Sequence, residues 1–597
     1  KDTKENIINQ ESSEKVKNVD FIEKNIESIS SKKTYGNRAR TRNNIKNTES
    51  LYDQKKPFVS YFKKHKQKEN ENFSIDSRNS VRTQNSNYGG NQTNNRILEN
   101  LNSMGSESDK LLKEQMHWHQ LNIAENQSNI SNTGILIDLI KSSTPLTLSI
   151  LFIYLVDTIN IMMIGSFNDP DLITALGLGS FLTNLICFIP VGGFLGGIDT
   201  LCSKAFGADK HKLIGIYTGI CRIIILSFIG IIVTPASIFS FYFYSFIGQS
   251  QKISDSANRF NIIILPGSVF YSLYIVYTRY LQSMKLYNPI MYTSLITFLL
   301  HPLWAWYFII SIEMKVEGAA IAITITEFLN FIIIFLFISL SSKVNKESSI
   351  LLNSYTFDKF YIKKYLHIGV PSLILYYLEN FFSHAMTLLA SFLGSIEMSA
   401  NICLFNFTNN CSLFALGISA SSGTIIGNYI GSNNSINAWR YVKGALIYSC
   451  ILSIILVLVT NYYGFEIALL YTDNMEVVNM FLKLFPFFSW NIIFDFLQLT
   501  LSGILKGLGR QKATAKLLLV TQYFIGLPII LTLTFSFKYR IVGLWIGRMA
   551  NIWIILVGLI YILRYKSMES TVEDYNRELY EIQEREDRIR SRKGSSV

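Results

Sequence analysis

The chain has 597 residues and a formal net charge of +12 at neutral pH. Hydrophobic residues make up 49% of it and charged residues only 16%, whereas soluble domains have about 25% charged residues. From about residue 134 to 565, apolar runs follow one another with short polar loops between them. This pattern excludes a soluble enzyme and predicts an all-α, polytopic membrane protein. Since Lys and Arg collect in the cytoplasmic loops of such proteins, the basic charge requires no nucleic-acid partner.

Spanning helices need roughly 20 apolar residues, and twelve segments of the sequence meet that requirement. The predicted spans are about 144–166, 172–196, 214–245, 259–281, 288–311, 317–340, 366–392, 399–427, 440–464, 477–503, 514–537 and 541–564.

Lys and Arg in the loops predict the orientation of these spans. With a cytoplasmic N-terminus, most basic loop residues fall on the cytoplasmic side. The outer loops then hold only Lys252, Arg259, Lys315, Lys538 and Arg540. We therefore expect both termini in the cytoplasm, with the protein in the plasma membrane or a vacuolar or vesicle membrane.

The sequence also repeats itself at a shift of about 225 residues, which pairs Pro145 with Pro371 and Asn184 with Asn409. Six spans per copy give both copies the same orientation, an arrangement found in transporters with the substrate path between the halves. We predict two pseudo-symmetric six-helix lobes.

The predicted organisation has five parts. They are a disordered, Asn-rich cytoplasmic segment (1–133), an N-lobe (134–344), a cytoplasmic linker (345–365), a C-lobe (366–565) and a charged cytoplasmic tail (566–597), which we expect to contain one amphipathic helix.

A charged residue deep in a bilayer is costly and is a functional hypothesis by default. Asp157, Glu379 and Asp495 each lie deep within a predicted span. A carboxyl group in such surroundings can load and release a proton, so we interpret these three as cation-coupling or substrate-binding residues, with polar tethers between helices as the alternative. Further polar candidates within spans are Glu327, His384 and His301, the last more typical of a packing residue.

Arg222, Arg279 and Arg548 lie nearer the predicted cytoplasmic ends of their spans, so we expect these side chains to reach the inner interface. Pro145 and Pro371 lie at equivalent places in the two repeats and are predicted helix hinges. The sequence has no phosphate-cradling loop, and transport driven by ATP is not expected.

Four segments resemble the multidrug and toxic compound extrusion (MATE) family across about residues 140–565. These are Gly197-Ile-Asp-Thr-Leu-Cys-Ser-Lys-Ala-Phe-Gly-Ala, Val370-Pro-Ser followed by Leu378-Glu379, Gly423-Thr-Ile-Ile-Gly-Asn-Tyr-Ile-Gly, and Ser502-Gly-Ile-Leu-Lys-Gly-Leu-Gly-Arg-Gln.

The resemblance implies a two-lobed, twelve-helix antiporter with a central V-shaped cleft. Such a protein exports organic cations, xenobiotics or other amphiphilic toxic compounds in exchange for protons or sodium. Glu379 matches the family's glutamate in span seven, Asp495 its acidic residue in span ten, and Asp157 the span-one aspartate of bacterial members. Asn380-Phe381-Phe382 stands where plant members carry Trp-Trp.

Three functions from different classes are compatible with the sequence: the antiporter, a lipid-linked oligosaccharide flippase of the same superfamily, and a membrane enzyme or receptor. We favour a monomeric antiporter that needs no cofactor or metal. A proton shared between Glu379 and Asp495 is the preferred coupling ion, with sodium as the alternative.

Overall fold

The structure is a computed structural model and describes residues 131–167, 169–344, 348, 354–472 and 474–594. Residues 1–130 of the predicted N-terminal segment and most of 345–353 in the predicted linker lie outside this range. In the described range, every predicted span coincides with a long helix or a bent pair of helices.

Six helices form the N-lobe. They are α1 (Asn132–Gly165), α2 (Asp171–Gly207), α3 (His211–Ile238), the bent α4 (Gln251–Ile263 and Leu265–Ser283), α5 (Asn288–Ser311) and α6 (Lys315–Leu340).

Six further helices form the C-lobe, and a thirteenth follows them. They are α7 (Lys359–Ser391), α8 (Ser395–Gly431), α9 (Ser435–Tyr462), α10 (Met475–Leu508), α11 (Gln511–Ser536), α12 (Arg540–Tyr565) and the C-terminal α13 (Met568–Gly594). Among the residues that the structure describes, ten helices are long and apolar enough to cross a membrane, and bent α4 makes an eleventh. The twelfth is α7, which carries Glu379, Asn380 and His384 in its sequence.

Side chains at the helix starts explain several of the boundaries. Asp169, Asp358 and Asn474 each accept a hydrogen bond from a backbone N–H in the first turn of α2, α7 and α10, respectively. Such N-caps satisfy donors that have no partner within the helix. Helix α10 ends at Gly509, which has a left-handed φ of 83° that favours glycine.

Prolines shape the helix interiors. The two halves of α4 meet at an angle of 47° just before Pro266, because proline lacks the N–H of a helical hydrogen bond and its ring crowds the preceding turn. Pro145 and Pro371, the predicted hinges, lie inside continuous helices in this conformation. Their hinge role stays a prediction.

Helix α1 begins about twelve residues before the predicted span. Its first turns carry buried Ile135 and Leu139 on one side, and they join a cluster with Ala438 and Val442 of α9. This stretch is amphipathic and not uniformly apolar, so a search for apolar runs does not detect it.

Hydrogen bonds between the lobes gather at the end of the bundle where α2, α8 and α10 terminate, which we name the closed end. Thr200 donates to the Lys506 carbonyl at 2.6 Å, and the Lys204 ammonium donates to the Leu508 carbonyl at 3.0 Å. Gln511 donates to the Thr200 hydroxyl at 2.5 Å. These bonds hold α2 of one lobe against α10 and α11 of the other.

Glycines allow the same helices to touch at their backbones. A Cβ on Gly207 would lie 1.9 Å from the Asn428 carbonyl oxygen, and one on Gly431 would lie 1.9 Å from the Lys204 carbonyl oxygen. Residues 204 and 207 of α2 thus face residues 431 and 428 of α8 in a two-fold manner. The two copies of the internal repeat therefore contact each other through equivalent segments at the closed end.

At the opposite end, the ion pairs in the described ranges stay within one lobe. Lys252 pairs with Asp171 at 2.9 Å in the N-lobe, and Arg540 pairs with Glu397 in the C-lobe. In the described ranges, no ion pair joins the two lobes at this second end.

Helix α13 lies across the closed end. Met568 and Val572 belong to the apolar cluster of the C-lobe, whereas Ile582 belongs to that of the N-lobe. Arg585 donates to both carboxylate oxygens of Asp358, at 3.0 and 3.1 Å. The C-terminal segment is thus one amphipathic helix that contacts both lobes.

Candidate cation and substrate site

The first candidate carboxylate, Glu379, projects from α7 toward α10. The Ser502 hydroxyl donates to one of its oxygens at 3.1 Å, and the Lys506 ammonium lies 4.0 Å from the other. The Lys506 ammonium also lies 5.8 Å from the centre of the Tyr376 ring. A carboxylate and an aromatic face therefore surround one tethered cation.

The Tyr376 ring reaches the N-lobe at Gly192 of α2. A Cβ at Gly192 would lie 3.0 Å from the ring, so a larger residue would displace it. The cation near Glu379 is thus at the seam between the lobes.

The second carboxylate, Asp495 of α10, pairs with Arg548 of α12 at 3.6 Å, and both side chains are largely buried. The Arg548 guanidinium also lies 5.3 Å from the centre of the Trp545 ring. Our expectation that Arg548 extends to the inner interface is wrong, because its charge is satisfied inside the C-lobe.

Asp495 and Glu379 do not form the carboxylate pair that we expected. Glu379 contacts Ser502, which is seven residues beyond Asp495 on α10. At 1.5 Å per residue this is roughly 10 Å along the helix axis. Each carboxylate also has its own basic partner, so a shared proton between them has no support in this conformation.

Helix α10 carries a polar stripe composed of Asn491, Asp495, Gln498 and Ser502, whose spacing places them on one face. Within the described ranges, both side-chain polar atoms of Asn491 and the carbonyl oxygen of Gln498 are buried with no hydrogen-bond partner. Buried polar groups are nearly always paired, so these atoms are available to a ligand. The spacing from Asp495 is visible in the sequence, but we did not predict this stripe from it.

In the N-lobe, Asp157 of α1 is exposed on its helix and interacts electrostatically with buried Glu327 of α6. The Asn330 amide donates to Glu327 at 3.3 Å, and Asn330 in turn accepts from Thr297 at 2.7 Å. The structure therefore brings Asp157 and Glu327 into one acidic region.

His301 is fully buried between three helices of the N-lobe. Its Nδ1 lies 2.7 Å from the Thr326 hydroxyl, and its Nε2 lies 3.1 Å from the Asn160 side-chain oxygen. These contacts connect α5 with α6 and α1, as a packing histidine would. The side chain of His384 on α7 lies outside the described part of the chain.

A family model described as MatE matches residues 145–307 and again 371–532. The two matches begin at Pro145 and Pro371 and coincide with the internal repeat. Together they cover more than half of the chain.

Curated relatives and solved structures agree with this match. Protein DETOXIFICATION 14 of Arabidopsis thaliana is 27% identical over 423 residues, covering 69% of this chain and 84% of the relative. DETOXIFICATION 16 of the same plant is 27% identical over 426 residues, covering 70% and 85%.

The eukaryotic MATE transporter AtDTX14 superposes with a TM-score of 0.67 at 24% identity, covering 74% of this chain and 98% of that one. A mutant of the Vibrio cholerae MATE transporter VcmN has a TM-score of 0.67 at 16% identity, covering 73% and 99%. At these identities the structures show a shared fold. With two family matches in register with the repeat and a twelve-helix, two-lobed fold, the chain belongs to the MatE family and is a membrane transporter of the multidrug and toxic compound extrusion type, not an enzyme.

Proposed function

We propose that this protein is a secondary antiporter that exports organic cations or amphiphilic toxic compounds in exchange for protons. The observation that carries this proposal is the position of the Lys506 ammonium between the Glu379 carboxylate and the Tyr376 ring. Aromatic faces and carboxylates are the groups that bind organic ammonium ions in proteins. Lys506 thus occupies a place that a cationic substrate can take.

Exchange at this place follows from the chemistry of its three groups. Lys506 has a flexible four-carbon stem, so its ammonium can withdraw when another cation arrives. A proton on Glu379 removes the charge that holds either cation and releases the substrate. Protonation and substrate binding therefore compete for one carboxylate, as coupled antiport requires.

The movement between the two access states would take place at the closed end. There the lobes are joined by hydrogen bonds of Thr200, Lys204 and Gln511 and by helix contacts at glycine. Breaking these contacts would open that end while the other end closes. Hinge bending at Pro145 and Pro371 belongs to this proposal.

Protons fit the Glu379 region better than sodium does. A sodium ion prefers several oxygen ligands, whereas here the Lys506 ammonium lies 4.0 Å from the carboxylate and would repel it. Sodium has better support in the N-lobe, where Asp157, Glu327 and the Asn330 amide lie in one region. We therefore retain sodium as the alternative coupling ion, with Asp157 and Glu327 as its ligands.

A flippase for lipid-linked oligosaccharides is supported less well. Its cleft should present free cationic groups to a diphosphate, but Lys506 and Arg548 are each near a carboxylate in this structure. The cleft therefore offers little uncompensated positive charge to an anion.

We place the closed end and both termini in the cytoplasm, because the loops at that end hold most of the loop Lys and Arg residues. The protein would then act as a monomer in a plasma, vacuolar or vesicle membrane.

Transport by purified protein in liposomes tests the proposal. Uptake of radiolabelled tetraethylammonium should follow an imposed proton gradient with sodium absent, and Glu379→Gln should abolish it. The matched control is Glu476→Gln, which changes an exposed glutamate in the first turn of α10. Proton-driven uptake at the wild-type rate by folded Glu379→Gln protein would contradict the proposal, and strict dependence on sodium at constant pH would transfer the coupling role to the alternative ion.

A further inference from the structure

A second cavity, separate from the cleft carboxylates, lies at the closed end on the outer flank of the N-lobe. It has a volume of about 560 Å³ and lies between the first turns of α1, the α4–α5 loop, α5 and α6. Ile425 of α8 completes its wall, so both lobes contribute to it. We name it the lysine pocket, after Lys141, Lys285 and Lys343, which line it.

The charge of the lysine pocket is positive. Its one acidic residue, Asp138, already accepts a hydrogen bond from the Tyr441 hydroxyl at 2.7 Å. Within the described ranges, no carboxylate lies within ion-pair distance of Lys141, Lys285 or Lys343. Three lysines against one aspartate, which acts on Lys285 at longer range, leave the cavity with an excess of positive charge and favour an anionic ligand.

Lys285 is fixed in the pocket by its backbone and by its neighbours. It has a φ of 61°, which is rare for a residue with a side chain, and its ammonium lies 5.3 Å from the centre of the Tyr429 ring of α8. Burial lowers the pKa of Lys285, because its charged form has lost hydration. An anion beside Lys285 would stabilise its charged form in place of the lost hydration.

The start of α5 adds a weaker contribution. Helix α5 begins at Asn288, which lines the pocket, and the preceding Tyr287 provides no side-chain cap. Pro289 has no N–H, and the N–H groups of Ile290 and Met291 donate to the Tyr287 carbonyl at 3.1 and 3.4 Å. What the helix start offers an anion is therefore mainly its partial positive charge.

The rest of the wall is apolar and turned toward the bilayer. Tyr292 and Ile296 of α5 are 54% and 44% exposed, and Ile333 and Phe337 of α6 lie behind them. A ligand here would have its anionic group at the lysines and an apolar chain against these side chains. Basic pockets between helices on the cytoplasmic side are a known mode of lipid headgroup binding.

We propose that the lysine pocket binds the phosphate headgroup of an anionic phospholipid from the leaflet at the closed end. A lipid is favoured over a soluble phosphate because the cavity continues into an exposed apolar surface. Since Ile425 and Tyr429 of α8 adjoin the same pocket, a bound lipid would also contact both lobes and stabilise the closed end.

Native mass spectrometry of the full chain with phosphatidylserine or phosphatidylcholine tests this proposal. Each lysine near an anionic headgroup contributes about fivefold in affinity, so Lys141→Gln, Lys285→Gln and Lys343→Gln together should weaken phosphatidylserine binding about a hundredfold. The matched control replaces Lys443, Lys512 and Lys516, which are exposed near the same end, by Gln. This control should keep wild-type binding.

Two additional arms distinguish a lipid site from a loss of folding and from a site for soluble phosphate. Arg at the three pocket positions should retain phosphatidylserine, which separates lost charge from lost folding, and phosphatidylcholine should bind no variant preferentially. Millimolar inorganic phosphate should not displace the lipid. Equal phosphatidylserine binding by the wild type and the triple Gln variant, or displacement by inorganic phosphate, would overturn the proposal.

Discussion

Substituting one glycine should open the closed end. In Gly431→Ala the new Cβ would lie 1.9 Å from the Lys204 carbonyl oxygen. This oxygen belongs to the backbone, so a change of side-chain rotamer cannot relieve the clash. An ordinary contact is longer by more than 1 Å, so α8 must retreat from α2 by roughly that distance. The substitution therefore acts as a wedge between the lobes.

The cost can be estimated from the bonds that such a retreat breaks. Helix α10 would move with α8, because their backbones touch at Gly423 and Gly507. The Thr200–Lys506 and Lys204–Leu508 hydrogen bonds, at 2.6 and 3.0 Å, would then exceed bonding distance. A neutral bond contributes about 1 kcal/mol and a charged one about 1.5–3 kcal/mol, so we expect a loss of about 2.5–4 kcal/mol. This shifts the balance of states about 70- to 900-fold toward opening.

Distances between spin labels at Lys210→Cys and Ser432→Cys, in a background without native cysteines, measure the opening. Gly431→Ala should lengthen this distance, and its pseudo-symmetric partner Gly207→Ala should do the same. Gly177→Ala in α2 is the control, since its Cβ would meet no atom within 4 Å. Unchanged distance distributions in folded Gly431→Ala and Gly207→Ala would refute the reasoning.

Three further predictions concern the remaining parts of the molecule. Glu586→Lys should favour opening of the closed end up to about fivefold, the most that a partly exposed ion pair supports, because Glu586 of α13 pairs with Lys212 of the N-lobe at 2.9 Å. Adding Lys212→Glu should restore the wild-type label distance; no effect of either change would mean that this pair does not hold the lobes together. Lys506→Met should strengthen tetraethylammonium binding in equilibrium titrations, because the competing tethered cation is gone; weaker binding would show that Lys506 supports the site. A chain that begins near residue 132 should keep the turnover of the full chain at equal membrane abundance, because the composition before it cannot form a packed core; loss of turnover would contradict that view.

The sequence by itself determined the membrane class, the twelve spans, the repeat and the family. These properties follow from patterns along one dimension: apolar length, the repeat shift that pairs Pro145 with Pro371, and short motifs. The same patterns place Asp157, Glu379 and Asp495 within spans. Because placing a charged group in the bilayer costs free energy, this position marks the three as candidate functional residues.

Only the tertiary structure decided which charges meet. Of the three carboxylates, Asp495 is the nearest to Lys506 in the sequence. In the structure, however, Lys506 lies beside Glu379 of α7, and Asp495 pairs with Arg548 of α12. Such partners depend on how each helix is rotated and how closely its neighbours approach. Backbone contact at residues such as Gly431 sets that approach, and a hydropathy pattern contains neither quantity. Contacts between segments far apart in the chain form the closed end, the position of α13 and the lysine pocket. These features therefore depend on packing and not on local composition.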